Sequence, residues 1–245
     1  MQNQIRALEH ISLNAWASLE TEAYDGWLLR YGQGYTGRAN SVQALDSSSL
    51  PLDQKISYCE AWYAAYQQPC IFRLTDVMQP PTLHDELIAR DYHRYNDTLV
   101  QVAPLQLNTL QIDRRFRYQS QVSENWLTAW GAWNAVPEAH IGIAQKMLSH
   151  QTRLSCYGWI DDVAVGLAVV DGDYVGLFDI VVQADARRTG VGHALVSSLL
   201  AWAQQHAAKT AYLQVTETNT PARKLYDTLG FKTHHPYWYL RQREA

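Results

Sequence analysis

The sequence predicts an α/β fold built on a mixed sheet, and three observations carry that expectation. An apolar run at 178–182 passes through a short polar turn into Arg187-Arg188-Thr189-Gly190-Val191-Gly192, and then into a helical pattern that lasts to about residue 207. Three apolar runs, 154–160, 163–170 and 174–182, are separated by Asp161-Asp162 and Asp171-Gly172-Asp173, which is the pattern of an antiparallel meander. Finally, the order helix, strand, Pro-containing break, helix, strand occurs twice, with 70–75 through 98–102 paralleling 211–216 through 237–241.

Taken in order, the chain opens on apolar positions Ile5, Leu8, Ile11, Ala15, Trp16 and Leu19, whose three- and four-residue steps predict a helix over 5–24. Asp25-Gly26 reads as a turn and 27–31 as a strand. A second strand is expected over 39–45. Pro51 opens a helix over 52–67, and 70–75 is a strand. Pro80-Pro81 interrupts the chain before a helix at 82–90 and a strand at 97–103. Residues 104–113 carry no strong period, so a boundary is placed there, giving a first domain of 1–105 and a second of 106–245. Ser123 is the expected N-cap of a helix over 123–133, and Pro137 opens another that runs to about 150. After the meander and the long helix come a strand at 211–216 and a helix at 221–229 closed by Gly230, with a last strand at 237–241.

A chain of 245 residues with 47% hydrophobic residues has enough apolar material for one large or two small cores. The net charge of −4 and the absence of a Lys/Arg run argue against a nucleic-acid surface and favour neutral or cationic substrates. Cys59, Cys70 and Cys156 are scattered and odd in number, so they form neither a disulfide framework nor a zinc pattern. A reduced, cytoplasmic protein is expected. The N-terminal residues do not read as a signal peptide, and no apolar run is long enough to span a membrane. His234-His235 before Pro236 reads as a loop, and no metal is expected.

The stretch from 179 to 207 has the make-up of an anion cradle. The first N–H groups of a helix lack intrahelical partners and carry the positive end of its dipole. Gly190 and Gly192 would let a phosphate approach the backbone, and no Asp or Glu occurs between Asp185 and Glu217. The spacing is not the dinucleotide fingerprint, which needs a third glycine and a later acidic residue, and no Gly-Lys-Ser/Thr makes it a P-loop. Taken alone, the turn also fits a surface loop with two solvated arginines.

With its flanks, the stretch resembles a known family. The segments LFDIVV, RRTGVGHALV, AYLQVTETN and PARKLYDTLGF occur in the order and spacing of the GNAT superfamily of acyl-CoA-dependent N-acyltransferases. The resemblance covers about 154–240. The early segment DGWLLRYGQGYTGRANSV is similar to the leading half of tandem members, which implies two GNAT-like halves, the first degenerate and the second binding acetyl-CoA. By that resemblance, Arg187 opens the pyrophosphate loop. The backbone from Arg188 through Thr189, Gly190, Val191, Gly192 and His193 holds the pyrophosphate. Ile180, Val181 and Val182 form the splayed strand that pairs with the pantetheine arm, where a bulge is expected. Asn219 lies near the arm, and Tyr226 near the thioester sulfur.

The implied reaction is acetyl transfer to a primary amine of a small molecule or peptide. It needs a base for the amine, a donor for the oxyanion (an N–H of Val182 is suitable), and a proton or hydrogen bond for the leaving thiolate, assigned to Tyr226. Asp179, Glu217 and Glu124 are the candidate bases. Trp126, Trp130, Trp133, Trp159 and Tyr174 are candidates for pocket walls or for core. A non-catalytic acyl-CoA-binding module is the alternative, and a transfer-RNA-dependent aminoacyl transferase is disfavoured by charge. A monomer or a homodimer is compatible with the repeat.

Overall fold

The computed structural model describes residues 2–105 and 110–242. The chain divides into two compact units, 1–99 with 235–245, and 100–234. The expected boundary at 105/106 borders residues 106–109, which lie outside the described residues.

The first unit contains α1 (Gln2–Ala15), β1 (Glu20–Tyr24), β2 (Trp27–Tyr31), β3 (Val42–Gln43), α2 (Leu52–Ala65), β4 (Ile71–Thr75) and α3 (Leu83–Ala89). β5 (Tyr92–Pro104) carries the chain into the second unit. There β6 (Phe116–Gln119), α4 (Glu124–Trp133), α5 (Glu138–Ser149), β7 (Leu154–Ile160), β8 (Ala164–Asp171), β9 (Tyr174–Val182), α6 (Val191–Gln205), β10 (Thr210–Thr216) and α7 (Thr220–Thr228) follow. β11 (Lys232–Gln242) returns the chain to the first unit at His235.

Each unit has a mixed sheet with one pattern of pairing. In the first, β1–β2 and β2–β3 are antiparallel and β3–β4 is parallel, with α2 on the crossover. In the second, β7–β8 and β8–β9 are antiparallel and β9–β10 is parallel, with α6 on the crossover. A parallel pair requires a crossover of this kind, because a two-residue turn can only reverse the chain. The same pairing pattern, three antiparallel strands and then a helical crossover to a parallel one, thus occurs in both units.

Four expectations are corrected. The first helix ends at Ala15, and the rest of its expected span includes β1. Asp25 and Gly26 have φ of 43° and 81°, the left-handed pair of a tight hairpin turn. That turn sets Tyr24 opposite Trp27, so the chain before it must be a strand. The strand expected over 39–45 shrinks to Val42–Gln43, preceded by a 3₁₀ turn at Gly37–Ala39. β6 was not expected: only Phe116 is buried, and Arg117, Tyr118 and Gln119 are exposed on this outermost strand, so alternation is faint. His234-His235-Pro236 is strand, within β11.

The first core gathers Trp27, Leu29, Ile56, Tyr63, Phe72 and Leu240, all fully buried. A buried ionic cluster lies in the same unit. Glu9 of α1 pairs with Arg73 of β4, and His235 Nε2 lies 2.7 Å from Glu9 Oε1. The Arg73 guanidinium stacks 3.7 Å over the Tyr237 ring. Burial would raise the Glu9 carboxyl, but the charge of Arg73 and the hydrogen bonds from His235 and Arg73 overcome it and hold the group at about 2. In the second unit, α6 packs Leu195, Leu199 and Trp202 onto the sheet, and α4 buries Trp126 and Trp130.

Candidate active site

Ser123 caps α4 as expected, its hydroxyl accepting the Trp126 N–H at 3.3 Å. This fixes where the tryptophan face of α4 begins. Trp126 Nε1 donates to the Gly158 carbonyl at 3.2 Å, and its ring meets Tyr157 edge-on at 5.4 Å. α4 is thereby tied to β7.

β9 carries the central irregularity. Between the pairs Val165↔Val181 and Leu167↔Phe178 one residue of β8 opposes two of β9, so Asp179 and Ile180 form a bulge. Asp179 takes φ of 52° there. A bulge re-aims side chains and releases backbone groups. Ile180 points toward α6: a Cβ on Gly166 would meet Ile180 Cδ1 at 2.6 Å and Leu199 of α6 at 3.1 Å. Asp179 is on the other face, near Tyr157, whose phenol is raised by burial and by the negative charge of Asp179.

On its other edge β9 pairs with β10 only from Thr210↔Tyr174 to Leu213↔Leu177. Beyond Leu177, residues 178–182 have no partner on β10, although both strands continue. Ile180, Val181 and Val182 lie in this splayed part. The Arg187 Nε donates to the Val182 carbonyl at 3.1 Å, fastening the start of the turn to the strand end.

The turn itself leads into α6. Thr189 Oγ1 donates to the Ala186 carbonyl at 2.7 Å, and Arg188 has φ of 65°. Gly190 is the N-cap, with φ of 87° and no side-chain hydrogen bond. A Cβ there would meet nothing within 4 Å, so glycine is required by backbone conformation and not by crowding. At Gly192 a Cβ would meet Val182 Cγ2 at 3.4 Å and Leu225 Cδ2 at 3.6 Å, ordinary contact. Val191 is buried, and His193 is exposed with Nδ1 3.4 Å from Ser197 Oγ. The first turn of α6 holds no acidic residue.

Asn219 is the N-cap of α7, its Oδ1 accepting the Ala222 N–H at 3.2 Å. The cap employs the oxygen and leaves the amide nitrogen out of it. Tyr226 is buried on α7, edge-on to Phe231 at 5.9 Å, and burial pushes its phenol up to about 12. It is therefore a hydrogen-bond donor at any ordinary pH.

Of the other expected bases, Glu124 is exposed in the first turn of α4, and the Glu217 backbone carbonyl accepts from Arg223 at 2.8 Å. Trp126, Trp133 and Trp159 meet around one cavity. Trp130 is core, stacked on Trp126 at 6.2 Å, and Tyr174 lies at the opposite end of β9 beside Asp171. In sequence Asp161-Asp162 reads only as a turn, yet both residues line that cavity. The signal was two carboxylates placed directly after Trp159-Ile160. Among the described residues no group of three or more His, Cys, Asp or Glu could hold a metal ion, and no helix is long and apolar enough to cross a membrane.

Comparison with known proteins agrees with this architecture. The family described as "Probable histone acetyltransferase Rv0428c C-terminal" matches residues 2–240. The "Uncharacterized N-acetyltransferase YobR" of Bacillus subtilis is 28% identical over 238 residues, covering 94% of this chain and 95% of that one. The "Probable histone acetyltransferase Rv0428c" of Mycobacterium tuberculosis is 29% identical over 242 residues, covering 96% of this chain and 73% of that one. A GCN5-related N-acetyltransferase from Kribbella flavida superposes with a TM-score of 0.70 at 11% identity, covering 98% of this chain and 96% of its own. The chain thus belongs to the Rv0428c C-terminal acetyltransferase family, and is a GNAT-superfamily N-acetyltransferase.

Proposed function

We propose that the second unit binds acetyl-CoA and transfers its acetyl group to a primary amine of a small molecule or peptide by direct attack. The observation that carries this reading is the parting of β9 from β10 after Leu177↔Leu213, next to the N-terminus of α6. A sheet edge left open over five residues suits an extended amide-bearing arm, and a helix N-terminus suits a pyrophosphate. The backbone of Ile180, Val181 and Val182 would pair with the arm. N–H groups from Arg188 through His193 would receive the pyrophosphate, with the Arg187 and Arg188 charges nearby. The Asn219 amide nitrogen is available to the arm.

The bound co-substrate supplies an activated acetyl thioester. Asp179, on the face of the bulge turned away from α6, takes a proton from the amine. Backbone N–H groups at the strand end, Val182 among them, receive the oxyanion. Tyr226 donates a hydrogen bond to the departing sulfur.

The first unit fits one cofactor site per chain. Its turn before α2, the counterpart of the turn before α6, already holds an anion of its own: the Asp25 carboxylate accepts the Ser49 and Leu50 N–H groups at 3.0 and 2.9 Å. Lys55 Nζ lies 3.4 Å from the same carboxylate.

The test is calorimetric titration with acetyl-CoA followed by thiol release against a panel of amines and peptides. Binding with thiol release supports the reading. Binding without release from any amine would replace it with an acyl-CoA-binding module, and absence of binding would overturn both.

A further inference from the structure

The cavity on the α4 side of the second sheet has a volume of about 200 Å³. Trp126, Trp133 and Trp159 wall it, and Val165 is also in its lining. Asp161 and Asp162 stand at the β7–β8 turn, and Asn125 contributes a side-chain amide. No Lys, Arg or His is among its lining residues, and Arg114, Arg115 and Arg117 line an adjoining hollow that shares Trp159, Asp161 and Asp162 with it. Aromatic faces attract cations, and a carboxylate beside them adds to the attraction. Arg115 lies 3.5 Å from Asp161 and also pairs with Asp113, so Asp161 is partly neutralised. Asp162 takes part in no ion pair among the described residues.

One strand pairing relates the cavity lining to the bulge. Val165 of its lining pairs with Val181, two residues beyond Asp179. Its wall Trp126 touches Tyr157, and Tyr157 senses the charge of Asp179. From Asp179 to Val181 is roughly 7 Å of strand, and from Val165 out to Asp162 roughly another 10 Å.

Resting on the acetyl-transfer reading above, we propose that this cavity holds a second ammonium group of the acceptor, on the order of 10–15 Å from the amine that is acetylated. The reacting amine must be neutral when it attacks, so it cannot itself exploit a carboxylate set among three indoles. A second ammonium, which stays charged, can. The acceptor class is a diamine, or a peptide with basic groups at that separation.

The probes are 1,8-diaminooctane, octylamine and a short peptide carrying two lysines. Initial rates with acetyl-CoA should give a KM for the diamine at least tenfold below that for octylamine. Asp162→Asn and Trp133→Leu should each remove most of that difference by raising the diamine KM, with kcat and the octylamine KM nearly unchanged. The dilysine peptide shares the preference if the cavity reads basic peptides, whereas a diamine advantage without it limits the class to small amines. Direct binding is read separately, as quenching or shift of tryptophan fluorescence by 1,8-diaminooctane without acetyl-CoA, compared with Asp162→Asn. Equal KM values for diamine and monoamine, or fluorescence titrations identical in wild type and Asp162→Asn, would overturn the proposal even with acetyl transfer intact. Loss of all acetyl transfer with a fluorescence response that Asp162→Asn abolishes would overturn the catalytic reading and keep the cation site.

Discussion

The Asp25 carboxylate receives the Ser49 backbone N–H on both its oxygens at 3.0 Å and the Ser49 hydroxyl at 2.9 Å. This carboxylate occupies N–H groups of the turn before α2, the counterpart of the turn before α6. A turn whose N–H groups already hold a tethered anion has fewer left for a free one. Calorimetric titration should therefore find one equivalent of acetyl-CoA per chain. A stoichiometry of two would show that the first unit is also a cofactor site.

The same carboxylate is held at about 2, first by the Leu50 N–H and then by the Ser49 N–H. Its folded value lies below the ordinary 3.8, so its contribution to stability is present above that value and is lost as pH falls toward 2. Asp25→Ala should lower the Tm at pH 7 and should have little effect near pH 2. An equal drop at both pH values would mean that hairpin geometry, not the anion, is what the residue supplies.

Removal of Glu9 strands a buried guanidinium. Arg73 has only 1% of its side chain exposed, and Glu9 likewise. Glu9→Gln should destabilise the chain by roughly 3–5 kcal/mol at pH 7, the usual cost of breaking one side of a buried pair. Because the Glu9 carboxyl lies at about 2 against an ordinary 4.5, wild type should lose this stability as pH drops from 4.5 toward 2. Urea unfolding of both proteins at pH 7 and near pH 2.5 checks this, with the gap between them narrowing at the lower pH.

Gly190 and Gly192 separate conformation from space. Gly190→Ala forces a Cβ onto φ of 87° and should cost about 1 kcal/mol of stability and weaken acetyl-CoA binding. Gly192→Ala meets only ordinary contacts and should fold normally. Thermal melts and acetyl-CoA titration of the two variants distinguish these roles; a Gly190→Ala protein as stable as wild type would show that the turn relaxes.

Tyr226→Phe keeps the ring against Phe231 and removes the hydroxyl. Turnover should drop on the order of 10²-fold with little change in the Kd for acetyl-CoA. The phenol at about 12 should leave no mark on the rate profile below pH 10. Unchanged turnover would remove Tyr226 from the reaction.

Much of this was legible in the chain. The meander, the Gly190 turn and the helix after it depend on turn residues and apolar periods within about ten positions, and those are local properties. The bulge at Asp179–Ile180 was expected from the resemblance, and β8 and β9 carry it. What short-range pattern could not supply was partnership. β1 was hidden because ETEAY is mostly exposed and has only two apolar residues, so no alternation marks it, and only pairing with β2 makes it a strand. β6 was hidden because an outermost strand exposes most of its side chains.

His235 shows the difference most clearly. Beside Pro236 it looked like part of a loop, yet it lies 226 positions from Glu9 in sequence and 2.7 Å from it in space. Its place is decided by β11 pairing with β4, which sets Tyr237 opposite Thr75 and Tyr239 opposite Arg73. Local pattern in the chain gave the turn, the Ser123 cap and the helix that carries Tyr226, while the open strand end and the role of Tyr226 were implied by the resemblance to the GNAT superfamily. The tertiary structure decided which charges are buried together, which carboxylate sits on the bulge, and which three tryptophans share a cavity. The reason is physical. Backbone conformation follows from neighbours along the chain, whereas desolvation and charge pairing follow from neighbours in space, which a sheet draws from distant parts of the chain.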